Sequence, residues 1–97
     1  MKIEKLQKKL LQVLSDFIKE NQIEFSGELS LNSRMIGTSS IFDSMELVTF
    51  IVEVEQLLDD EYDFQTQLAS EKAMSRRTSP FISLSTLSQY IIEDFNE

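Results

Sequence analysis

The stretch Phe42-Asp43-Ser44-Met45-Glu46-Leu47-Val48-Thr49-Phe50-Ile51 decides how the chain folds, because it sets a helix start directly against an apolar run. Asp43 has the short acceptor side chain that an N-cap needs, and Glu46, three residues on, can reach back to complete a capping box. Leu47, Val48, Ile51, Val54 and Leu58 then recur at helical spacing and are expected to face a core, whereas Met45 and Val52 fall toward another side. This helix ends in Asp59-Asp60-Glu61, acids at the end where the macrodipole disfavours them. A local rule broken in this way can mark function.

Upstream, Ile3, Leu6, Leu10, Val13, Leu14 and Phe17 recur at steps of three and four and predict an amphipathic helix over 2–20. Its other face carries Lys2, Lys5, Lys8, Lys9 and Lys19 against Glu4, Asp16 and Glu20, which reads as a solvated face. Between the two helices, 21–42 holds no period. Its apolar residues Phe25, Leu29, Leu31, Met35, Ile36, Ile41 and Phe42 predict a loop anchored on the helices. Downstream, Leu68, Ala69, Ala73 and Met74 suggest a short helix over 66–75, and Pro80 enforces a loop before it. Ser83 can cap a last helix carrying Leu84, Leu87, Tyr90, Ile91 and Phe95. No β-hairpin signal occurs, so the expected fold is all-α, a small four-helix bundle of three longer helices and one short one.

Composition bounds the rest. At 97 residues there is room for one domain, 1–97, and 41% hydrophobic with 27% charged residues is a globular mix. The formal charge of −8 would repel nucleic acid and anionic membranes, so nucleic acid is not an expected partner. With neither Cys nor His, the chain has no thiolate or imidazole for catalysis and no zinc site built on them; it is not expected to be an enzyme, and no catalytic or metal-binding residues are assigned. Asp59-Asp60-Glu61-Tyr62-Asp63 lacks the glycine and the spaced terminal Glu of a calcium loop. Apolar runs such as Phe50-Ile51-Val52 are far too short to span a bilayer, and Met1–Lys5 does not resemble a signal peptide; a cytoplasmic monomer is expected.

Ser44 is the residue with the most to say about function. On the bland reading Asp43 caps and Ser44 merely starts a helix. On the functional one its hydroxyl sits where free N–H groups and the helix dipole favour an attached phosphate, a modification site. With the helix before it, the long loop and the helices after it, the stretch Asp43–Leu58 resembles acyl carrier proteins and the related peptidyl carrier proteins, and nearly the whole chain takes part in the resemblance.

In that family an Asp-Ser-Leu or Asp-Ser-Met motif opens the second helix, and its serine, matched by Ser44, receives 4′-phosphopantetheine from coenzyme A. The resemblance implies a carrier that holds an acyl group as a thioester on that arm, the sulfur being imported into a chain without Cys. It further implies Asp43 as motif residue and helix cap. Met45, Glu46, Val52, Glu53 and Glu55 would be partner contacts, and Val48, Ile51, Val54 and Leu58 core positions. The partners would be a phosphopantetheinyl transferase and acyl- or aminoacyl-loading and acyl-using enzymes of fatty acid or secondary metabolite biosynthesis. Thr49 and Gln56 stand where the fatty-acid type usually has an acid, and 62–82 is longer and more basic than usual, which points to a specialised carrier. Two other readings stay open: an aminoacyl or peptidyl carrier, and an unmodified helical adaptor whose acidic second helix binds a basic surface.

Overall fold

The computed structural model describes residues 2–25, 28–36, 40–68 and 79–96, with Ser44 through its backbone. Three helices and no strand occur among them: α1 (Ile3–Glu20), α2 (Ser44–Tyr62) and α3 (Leu84–Phe95). α1 packs against both others. The Cα radius of gyration of 12.6 Å matches the value of about 12.5 Å expected for a compact chain of this length.

The apolar stripe of α1 does what its spacing predicts. Leu6, Leu10, Leu14 and Phe17 are buried, and Ile3 and Val13 lie half-buried at its margins. The helix stops through backbone geometry: Gln22 takes a left-handed φ of 53°, Ile23 N–H donates to Ile18 O at 3.0 Å and Gln22 N–H to Lys19 O at 3.3 Å. These two bonds form a Schellman closure, which satisfies carbonyls that the helix end would leave bare. Asp63, with φ 51°, turns the chain after α2 in a similar sense, and Phe64 N–H returns to Leu58 O at 3.1 Å. Asp tolerates this conformation better than most residues.

The loop between α1 and α2 is held as its apolar content predicts. Met35, Ile41 and Phe42 are buried, and Phe25, Leu29, Leu31 and Ile36 pack against the core. Its backbone is bonded to the start of α3: Met35 N–H donates to Ile82 O at 2.8 Å and Ser85 N–H to Leu31 O at 2.9 Å. Ser83 caps α3 in a reciprocal box with Thr86, whose side chain replaces the more usual Glu or Gln. Leu84, Leu87, Tyr90 and Ile91 are buried, and the wholly buried Ser88 hydroxyl accepts from Gln7 Nε2 on α1 at 3.1 Å while donating to Ser85 O.

Two expectations need correction or delimitation. Val48, expected in the core, is 62% exposed, and Phe50 is wholly buried between Phe17 and Phe42, at ring-centroid distances of 5.7 and 5.3 Å. The reason is angular: at ~100° per residue Val48 lies a quarter-turn beyond Leu47 and away from the core axis, whereas Phe50 lies on the core's other flank. The expected short helix at 66–75 falls mostly outside the described residues; its described part, 66–68, is not helical.

Candidate functional site at the start of α2

Asp43 sits in extended backbone, and its carboxylate accepts the Glu46 N–H at 2.8 Å. Glu46 Oε1 in turn accepts the Asp43 N–H at 3.0 Å, so the capping box is closed. Ser44 is therefore the first residue of α2, and the N–H groups of Ser44 and Met45 have no carbonyl within the helix to receive them. Phe42 fixes the approach to this corner: it is buried, stacked edge-on to Phe17 at 5.4 Å, and its carbonyl accepts the Ser40 hydroxyl at 3.0 Å. The helix start is pinned by aromatic packing on one side and by the reciprocal cap on the other.

From Ser44 an exposed apolar stripe runs down α2. Met45 is 81% exposed, Val48 62% and Val52 54%. Met45 and Val52 were legible as off-core positions; Val48 joins them because it follows Met45 by three residues and precedes Val52 by four. Three large apolar side chains left in water along one helix line are more informative than scattered ones.

The acids divide into separate roles. Glu46 is engaged in the cap. Glu55 accepts the buried Leu68's N–H at 2.6 Å and so ties down the segment after α2. Glu61 pairs with Lys9 of α1 at 2.8 Å, and the same ammonium lies 5.0 Å from the Tyr62 ring centroid. The acidic end of α2, which the sequence marks as a broken rule, thus has a structural partner at Glu61. Glu53 is exposed, and its carboxyl is pushed above the ordinary range, first by partial desolvation and then by the nearby Glu20 carboxylate.

Two open depressions flank Val52. One, of about 440 Å³, lies between α1 and α2; Asp16 and Glu20 border it from α1, Glu53 and Asp60 from α2, with Val13, Phe17 and Leu57 beneath. The other, of about 250 Å³, is bordered by Glu55, Gln56, Asp59, Gln65 and Thr66. The contribution of α1 to the first was not apparent from sequence, where its acids read only as part of a solvated face. Among the described residues no group of three or more His, Cys, Asp or Glu is placed to hold a metal, and no helix is long and apolar enough to cross a membrane. Comparison with family models, curated proteins and solved structures finds no match.

Proposed function

We propose that this chain is a carrier protein of acyl-carrier type, modified at Ser44 with 4′-phosphopantetheine and presenting a thioester-bound acyl group to separate enzymes. The observation that carries the reading is the position of Ser44: the first residue of a helix whose cap, Asp43, is locked by Glu46 and whose approach is fixed by buried Phe42. A phosphate ester at that position suits its surroundings. The helix dipole is positive there, the N–H groups of Ser44 and Met45 lack intrahelical acceptors, and the carboxylates of Asp43 and Glu46 are each committed to a backbone donor. Asp43 and Met45 on either side are exposed, so a transferase would have access to this corner.

The arm would supply the thiol that the chain lacks. The chain's own residues bind and orient: Met45, Val48 and Val52 offer an apolar line to partner enzymes, and Glu53 beside it adds negative charge that speeds encounter with basic surfaces. A shuttle that binds and releases repeatedly needs fast, salt-sensitive association of modest affinity, which few exposed apolar contacts and many exposed acids provide. The all-α architecture, with a long anchored loop between α1 and α2, supports the reading; the short helix expected at 66–75 falls mostly outside the described residues.

Incubation with coenzyme A, magnesium and a broad-specificity phosphopantetheinyl transferase tests the reading: the intact mass should rise by one phosphopantetheine. A folded protein that gains nothing would favour the unmodified adaptor.

A further inference from the structure

The depression between α1 and α2 has a floor and walls of opposite character. Phe17 is buried and Val13 and Leu57 half-buried beneath it, while Asp16 and Glu20 on one wall and Glu53 and Asp60 on the other are all exposed. No Lys or Arg borders it among the described residues. Lys19 adjoins Glu20 in sequence without lining the groove, and Lys9, farther along α1, is engaged by Glu61. At about 440 Å³ it has the size of a small-molecule cleft, yet it is open rather than enclosed, which suits a segment laid along it better than a ligand buried in it.

We infer that this groove is a docking site for a basic amphipathic segment of a partner protein, with apolar side chains on Val13, Phe17 and Leu57 and Lys or Arg residues reaching the carboxylates on both walls. Charge complementarity names the occupant. Two acidic walls around an apolar floor match a helix whose apolar ridge is flanked by bases on both sides. The mutual repulsion of Glu20 and Glu53 is a cost already present in the free protein, and a cation between them would relieve it. A second copy of the chain is the poorer occupant, because two molecules of formal charge −8 repel each other. The site shares Val52 with the exposed line at Met45, Val48 and Val52 but takes Val13, Asp16, Phe17 and Glu20 from α1, and it does not depend on modification of Ser44.

The test is titration of the unmodified full chain with a synthetic amphipathic Leu/Lys helix, read by amide chemical shifts and by fluorescence anisotropy. A Glu20→Gln/Glu53→Gln variant is compared with a Glu4→Gln/Glu28→Gln control of equal charge, both checked for fold by circular dichroism. We expect shifts concentrated at 13–20 and 52–60, affinity reduced at least ~10-fold in the groove variant and by less than ~3-fold in the control, and weaker binding at high salt. Four results would overturn the inference: no binding, equal loss in both variants, equal affinity for a scrambled peptide of the same composition, or self-association of the chain through 13–20 and 52–60.

Discussion

Asp43 and Glu46 each satisfy the other's backbone: Glu46 N–H donates to the Asp43 carboxylate at 2.8 Å, and Asp43 N–H donates to Glu46 Oε1 at 3.0 Å. That reciprocity fixes the residue at which α2 begins and so places Ser44 at its first position. Asp43→Ala removes the side-chain acceptor of the Glu46 N–H while leaving the residue-43 N–H to donate to Glu46 Oε1, and should cost about 1 kcal/mol of stability. Urea denaturation should show the midpoint falling with an unchanged slope, since the loss is local and the surface exposed on unfolding is the same.

Phe50 and Val48 are two residues apart and should respond in opposite ways. Phe50 is wholly buried in a cluster with Phe17 and Phe42, so Phe50→Ala should cost about 3–5 kcal/mol, enough to unfold much of a small domain. Val48→Ala, at an exposed position, should change stability by no more than about 0.5 kcal/mol. Thermal melts of the two variants distinguish this arrangement from one in which Val48 is a core residue.

These two residues also show what the sequence can carry. Local chemistry was fully legible: the cap at Asp43, the cap at Ser83 and the stripe of α1 each depend on residues within a few positions of one another, and the structure has them as expected. The apolar stripe of α2 was legible in part, because seven apolar residues between Met45 and Val54 encircle much of the helix and spacing alone does not choose among them. The choice is made by Phe17, on another helix, and by Phe42, in the loop leading into α2, which close around Phe50. The same holds for the acids. Nothing near Glu55 announces its bond to Leu68 thirteen residues on, and nothing near Glu61 announces Lys9 on another helix.

Glu55 offers a direct check on that long-range bond. Its carboxylate accepts a backbone N–H from a buried residue, and a hydrogen bond to a charged group contributes about 1.5–3 kcal/mol. Glu55→Ala should therefore accelerate hydrogen exchange at the Leu68 amide while leaving the amides in the middle of α1 protected, because the lost contact opens the segment after α2 before it opens the core.

Glu53 gives a pH signature. Partial desolvation and then the Glu20 carboxylate raise its folded-state pKa above the ordinary value, so the folded chain holds this proton more tightly than the unfolded one. The contribution to stability is favourable below that interval and is lost as pH rises from the ordinary value through the raised one, the reverse of an ion-paired carboxylate. Side-chain carboxyl NMR should find Glu53 titrating above ordinary carboxylates. Glu20→Gln should bring it only part of the way down, since desolvation is the larger cause. Glu53→Gln should remove its share of the stability decline.

The central claim is that Ser44 carries the phosphopantetheine arm, and the most direct measurement is the intact mass of the parent and of Ser44→Ala, side by side, after incubation with coenzyme A, magnesium and the transferase. The account predicts a gain of one phosphopantetheine on the parent and none on a Ser44→Ala chain that melts as the parent does. Equal gain on both, or no gain on a folded parent, would contradict it.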